Sequence, residues 1–169
     1  HTWHFATCTK PTIGAINGLA YGGGAVIAAS MDIRVGSDVS SFKFLAAAYG
    51  RINSTWNLPM QIGWPKAKEL LFTGRLVEAH EAYEIGLLNH LVAKDMVMLK
   101  AQEIAHEIAS NDRRMVQGIK ELMVRDVGLP WQEAYANELD AQADRLKPPP
   151  IHEGFRDFLG RKGTKIPEP

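Results

Sequence analysis

The chain has 169 residues, 46% apolar and 22% charged, which allows one domain with a substantial hydrophobic core and excludes a disordered chain. Its 19 basic residues balance its 19 acidic ones, so no global field draws it to nucleic acid or to an anionic membrane. Cys8 is its one cysteine and cannot form an internal disulfide, no signal-peptide pattern is visible, and the expected compartment is the cytoplasm.

In chain order, residues 1–10 read as the end of a helix or a loop. Residues 12–17 (T-I-G-A-I-N) are short, apolar and partly β-branched, which predicts a buried strand. A glycine-dense turn follows over 18–24, then a short apolar helix over 25–30, a strand over 32–36 and another over 41–44. The uncharged run from 11 to 31 holds five glycines, Pro11 and Asn17, so it fits strand, turn and helix better than a membrane span. Residues 46–64 read as irregular, punctuated by Gly50, Asn53, Pro59 and Gly63.

Helices dominate beyond that point. Pro65 suits the first turn of a helix running to about Phe72, and a short helix spans 78–84 before Gly86. Residues 87–92 are apolar enough for a strand, and Asp95 is placed to cap a helix over 96–109. Over 112–125 the spacing of Met115, Val116, Ile119, Leu122 and Met123 predicts an amphipathic helix. Further helices are expected from Pro130 to the prolines at 148–150 and over 151–159. Strands alternate with helices early and helices accumulate late, the pattern of an α/β layer followed by a helical region. The boundary is drawn at 92, giving segments 1–92 and 93–169.

The arrangement strand, Gly22-Gly23-Gly24, helix carries the most chemistry. Consecutive glycines let backbone N–H groups turn toward one point, and a helix starting there adds free N–H groups and the positive end of its dipole. Such a bend can hold an anion, or an oxygen that becomes anionic during a reaction; close packing of helix on strand is the plainer role for it. A dinucleotide fingerprint requires a glycine where Ile27 stands, and a P-loop requires Lys then Ser or Thr where Ala25 and Val26 stand, so a nucleotide-binding module is disfavoured. His1, His4 and Cys8 have helical spacing for a metal but lack a fourth ligand, and Ser110 breaks the zinc-protease pattern that His106-Glu107 would begin; no metal is expected.

The segment K-P-T-I-G-A-I-N-G-L-A-Y-G-G-G (10–24), with M-D-I-R-V-G-S (31–37), L-L-F-T-G-R (70–75), Ala79, Ala82, G-L-L (86–88) and E-G-F-R-D-F-L (153–159), resembles the enoyl-CoA hydratase/isomerase (crotonase) family over essentially the whole chain. The resemblance implies a crotonase-like spiral α/β core, here its C-terminal part, and a helical C-terminal region serving oligomerisation and closure of the CoA site. It implies a further N-terminal stretch of roughly 80–100 residues carrying a second oxyanion donor. It also implies an acyl-CoA substrate, no cofactor beyond the CoA of that substrate, and a homo-trimer or hexamer. Gly23 is the implied oxyanion donor, flanked by Gly22 and Gly24.

Against that pattern, Val26 and Ala46 stand where the family's hydratases carry their two catalytic glutamates, and no Asp or Glu occurs between Asp38 and Glu69. Hydrocarbon side chains transfer no proton, so ordinary hydration is not expected and a decarboxylase or C–C bond-cleaving reaction is. The candidate catalytic residues are Gly23, Asn53 and Tyr49. Substrate and CoA are assigned to Gly22, Gly24, Ala46, Ser54, Trp56, Phe155 and Lys162, with Arg51 as a further partner for a carboxylate. A catalytically inactive CoA-binding or assembly protein of the same fold is the alternative. Asp32 is expected to orient backbone at a strand start rather than act as a base.

Overall fold

The computed structural model of the chain describes residues 2–155, 158 and 161. It divides into two compact units, 1–124 and 125–169.

The first unit is α/β, built from two small sheets. Strands β1 (Ile13–Ile16), β3 (Ile33–Ser37) and β6 (His90–Val92) form one sheet, all parallel, with Ile13 opposite Ile33 and Val35 opposite His90. Strands β2 (Leu19–Tyr21), β4 (Ser41–Lys43) and β5 (Val77–Glu78) form the other, β2 parallel and β5 antiparallel to β4. The chain therefore steps from the first sheet to the second twice, between β1 and β2 and again between β3 and β4. The two steps are tied together. Ser40 Oγ donates to Ile16 O (2.6 Å) and accepts from Ser37 N (2.9 Å), while Ser41 N donates to Gly18 O (3.3 Å).

Alternation along β1 and β3 sorts their side chains onto two faces. Ile13, Ala15, Ile33 and Val35 pack with Val97, Ala101 and Ile104 of α6 (Val97–Ala109). On the other face Ile16 joins a larger core with Ala25, Ala28 and Ala29 of α2 (Gly23–Ala29), Phe42, Phe44, Leu58, Leu70 of α4 (Trp64–Thr73) and Ala82 of α5 (Ala79–Glu84). Both faces are covered, which explains how Arg34, at the centre of β3, comes to be 1% exposed. Gly36 has no room for a side chain, because an added Cβ meets Leu88 Cδ1 at 2.7 Å and Ser40 Oγ at 3.0 Å.

The remaining helices are α1 (Thr2–Thr7), α3 (Leu58–Ile62) and α7 (Arg113–Arg125) in the first unit, and α8 (Trp131–Ala143) and α9 (Ile151–Gly154) in the second. Asp112 Oδ1 accepts from Arg114 N (2.8 Å) and Met115 N (3.2 Å) at the start of α7. Along α8, Trp131, Tyr135 and Leu139 lie four residues apart and all are exposed. Among the described residues no helix is long and apolar enough to cross a membrane, and the uncharged run 11–31 is divided among β1, β2 and α2.

Several elements differ from the sequence expectation for local physical reasons. The turn expected over 18–24 contains β2, whose three residues gain a ladder partner only when β4 lies beside them. The strand expected over 87–92 begins at His90; Leu87 and Leu88 are buried in a turn where Leu87 O accepts from Arg34 Nε (2.5 Å) and Leu88 N donates to Ala82 O (2.9 Å). Asp95 caps nothing: it sits inside a 3-10 turn, Lys94–Met96, and α6 starts at Val97 without a side-chain cap. The irregular stretch 46–64 contains a 3-10 turn, Ala47–Tyr49, and α3. Of the helix expected over 151–159, Ile151–Gly154 and Phe158 are helical, Phe155 is in a turn, and residues 156, 157 and 159 lie outside the described residues.

Candidate active site

Strand β2 delivers the chain to Gly22, whose φ of 52° and ψ of −116° suit a residue without a Cβ. Its amide donates to Lys43 O (2.9 Å) on β4, and its carbonyl accepts from Val26 N (3.1 Å), closing the first turn of α2. Gly23 and Gly24 are the first two residues of that helix, where amides have no partner within the helix. Both residues are exposed, and their amides meet no acceptor among the described residues. An added Cβ at Gly22, Gly23 or Gly24 meets no heavy atom within 4 Å. Among the described residues the bend is thus open, with the Gly23 and Gly24 N–H groups unpaired.

The loop after β4 carries the other candidates. Ala46 O accepts from Tyr49 N (3.0 Å) and Arg51 N (2.8 Å), folding Ala47–Tyr49 into its 3-10 turn and leaving the Tyr49 ring exposed. Val26 is buried and Ala46 half-buried, so neither proposed acid–base position offers more than hydrocarbon. Asn53 and Ser54 follow. Ser54 has φ 56°, the one non-glycine among the described residues with positive φ, and is 1% exposed. Its hydroxyl and the Oδ1 of Asn53 are both buried with no hydrogen-bond partner among the described residues. A left-handed serine and two orphaned oxygens on successive residues cost folding free energy, on the order of 1–3 kcal/mol for each feature. Strain of this kind concentrates at functional sites. Trp56 packs its ring against Trp3 of α1, centroids 5.4 Å apart and tilted by 60°.

Asn57 ends the loop. It is buried, and its Oδ1 accepts from Leu58 N (2.9 Å) as the N-cap of α3. Its Nδ2 donates to Ser30 Oγ (2.8 Å), and Ser30 Oγ donates to Val26 O (2.7 Å). A second connection comes from Arg34. Its Nε donates to Leu87 O, its Nη1 to Met31 O (2.6 Å) just past α2, and its Nη2 to Gln61 Oε1 (2.7 Å) on α3. Burial pushes the Arg34 guanidinium down to about 10, against the opposing pull of Asp32. From the sequence Asn57 stands among the polar residues of the loop without an assigned role, and Arg34 is not a candidate.

Asp32 has the orienting role expected of it: its Oδ2 accepts from Thr12 N (2.7 Å) and Thr12 Oγ1 (2.9 Å) at the start of β1. It also pairs with Lys120 Nζ (2.7 Å), a buried lysine from α7 that donates in turn to Lys10 O (3.0 Å). Cys8 lies at the edge of that cluster, with its Sγ 3.7 Å from the same Nζ. In the second unit the Phe155 ring meets that of Phe158 edge-on at 6.5 Å. Lys162 and His1 lie outside the described residues. A cavity of about 370 Å³ between the start of β1, α6 and α7 is lined by Lys10, Ile13, Ile108, Arg113 and Val116, none of them a candidate residue.

With this geometry in view, the likenesses to known proteins are specific. A family model described as enoyl-CoA hydratase/isomerase matches residues 1–166. Among curated relatives, enoyl-CoA hydratase EchA19 of Mycobacterium tuberculosis is 36% identical over 161 residues, covering 94% of this chain and 60% of the relative. The short-chain-enoyl-CoA hydratase of Clostridium acetobutylicum is 37% identical over 135 residues, covering 78% of this chain and 52% of the relative. Among solved structures, an enoyl-CoA hydratase from Bacillus anthracis superposes with a TM-score of 0.86 at 30% identity, covering 99% of this chain and 65% of that one. A Thermobifida fusca chain solved in complex with CoA superposes at 0.80 with 25% identity, covering 86% of this chain and 58% of that one. The chain thus spans between 52% and 60% of the length of the two curated relatives.

Proposed function

The chain belongs to the enoyl-CoA hydratase/isomerase family, and from that membership we propose that the protein transforms an acyl-CoA thioester by stabilising its enolate at the glycine bend. The observation that carries the reading is the pair of open, unpaired amides at Gly23 and Gly24, at the head of α2. Charge that grows on a thioester oxygen during reaction meets the Gly23 N–H and the positive end of the helix there.

The reaction this site suits takes no proton from carbon. Val26 and Ala46 supply no base, whereas decarboxylation or C–C cleavage needs only somewhere for the bonding electrons to go. In decarboxylation the bond between the α-carbon and the carboxylate breaks, its electron pair passes to the thioester oxygen, carbon dioxide leaves, and a proton returns to the α-carbon. Tyr49 is the loop's phenol for that return. The Asn53 amide, with Arg51, holds the departing carboxylate or carbonyl, whereas the Ser54 hydroxyl is buried. Gly22, Gly24, Ala46 and Trp56 border the acyl and pantetheine path. No further cofactor is needed. The exposed stripe Trp131, Tyr135, Leu139 supports assembly as a homo-trimer or hexamer.

A second reading, a CoA-binding or assembly protein without turnover, is favoured by the hydrocarbon at both acid–base positions. Turnover of a panel of acyl-CoAs, malonyl-type thioesters included, by the full-length protein separates the two. Release of carbon dioxide or of a cleaved product supports the enzyme; tight CoA binding with no product supports the alternative.

A further inference from the structure

Asn57 touches both halves of the candidate site without facing either reacting group. Toward the loop, Leu58 N is shared between Asn57 Oδ1 (2.9 Å) and Ser54 O (3.2 Å), so the same cap that starts α3 holds the carbonyl of the strained residue. Toward the glycine bend, Asn57 Nδ2 reaches Ser30 Oγ, Ser30 Oγ reaches Val26 O, and Val26 N reaches Gly22 O. Each link is between 2.7 and 3.1 Å long. Asn57 and Ser30 are both 4% exposed, so water competes poorly for these bonds. Helix α2 has only 7 residues, and a connection at its last turn is transmitted to its first as a rigid displacement.

We infer that Asn57, acting through Ser30, is a positioning residue that fixes the Gly23 amide relative to the Asn53–Ser54 turn. The inference rests on the enolate reading of the glycine bend. A carbonyl oxygen and a second substrate group gripped at two ends tolerate little change in the separation of the grips. A misplacement of about 1 Å costs up to about 100-fold in rate. Because the link lies behind the site, its loss lowers kcat while leaving ground-state binding, and hence KM, nearly intact.

The test uses the full-length protein and the acyl-CoA it turns over best. Asn57→Ser keeps an oxygen that caps α3 but does not reach Ser30; Ser30→Ala removes the other half of the link; Ser30→Thr restores the hydroxyl. Asn57→Ser and Ser30→Ala should each lower kcat by about 10- to 100-fold with KM held within about twofold. Ser30→Thr should recover most of the rate, and the double variant should be no worse than the poorer single one, since both break one connection. Thermal melts of all four identify any variant that has lost its fold. Wild-type kcat in Ser30→Ala, or losses that multiply in the double variant, overturn the inference. Activity abolished by Gly23→Pro but untouched by Ser30→Ala overturns it while leaving the enolate reading in place. Activity that survives Gly23→Pro, or no turnover at all, removes that reading and this inference together.

Discussion

Replacing Gly23 by proline deletes one N–H from the bend and little else. Gly23 is the first residue of α2, so its amide has no partner within the helix and its loss breaks no helical bond. Proline is favoured at a first helical position because its fixed φ is already helical. An added Cβ there meets no heavy atom within 4 Å, and the preceding Gly22 has no Cβ to clash with the ring. The bonds that fix the bend, Gly22 N to Lys43 O and Val26 N to Gly22 O, use other atoms. The cost in stability should therefore stay below about 1 kcal/mol, well under the ~3 kcal/mol penalty of proline in a helix interior. Losing an oxyanion donor removes about 3 kcal/mol of transition-state stabilisation, or about 100- to 1000-fold in kcat. Gly23→Ala keeps the N–H and should stay near wild type. The assay is steady-state thioester turnover beside a thermal melt. If Gly23→Pro melts normally and retains kcat within about threefold, the Gly23 amide does not face developing charge and the reasoning fails.

Ser54→Gly should raise stability by about 1 kcal/mol, because relief of the left-handed serine and its orphaned hydroxyl outweighs the extra chain entropy of glycine; urea midpoints measure it, and a loss of stability would refute the strain. The same variant should lower turnover if Ser54 meets substrate. Gly36→Ala forces a methyl group into Leu88 and should destabilise by about 1–3 kcal/mol in the same titration. Glu69 is held below the ordinary carboxylate value by hydrogen bonds from Lys66 and then Arg75, and Glu81 by its bond from Arg75. Depressed carboxylates stabilise the fold above their unfolded value of about 4.3 and lose that contribution as pH falls through the folded values. Arg75→Gln should therefore flatten the loss of stability on the acid side without changing its form above about pH 6. An unchanged acid limb would show that this exposed cluster contributes nothing.

The parts of the fold that were legible rest on local repetition. Strands β1 and β3 announce themselves as short apolar, β-branched runs, and the glycine bend by composition, since three glycines before an apolar helix stand out in the chain. What was illegible depends on contacts made across the fold. Strand β2 is three residues long and exists because β4, twenty residues on, lies beside it. Asn57 and Ser30 are 27 residues apart, each an ordinary turn or helix-end residue until the two side chains meet. Arg34 alternates with Ile33 and Val35, and nothing local to it points to burial. Only a second layer packed on that face makes it a buried clamp between the end of α2, α3 and the turn before β6. Lys120 sits in a helix whose apolar stripe was clear, and its pairing with Asp32 across 88 residues was not.

On the proposed enolate reading, the glycine bend and the acid-free stretch after β4 together constrain the chemistry more than either alone. Stabilised enolate charge has value only if some bond surrenders its electrons to the thioester. Where a glutamate can remove a proton, that bond is C–H. Here the stretch from residue 39 to 68 holds neither Asp nor Glu, and Val26 is buried. Under the proposed reading the electrons come from a bond whose other partner leaves unaided, and a carboxylate leaving as neutral carbon dioxide meets that requirement. Such a substrate brings its own negative charge into the pocket, and a loop stripped of acids and carrying Arg51 and Asn53 receives an anion without repulsion. On that proposal the hydrocarbon at residues 26 and 46 is part of the specificity, and Ala46→Glu should weaken binding of a carboxylate-bearing thioester by placing like charge beside the group to be expelled.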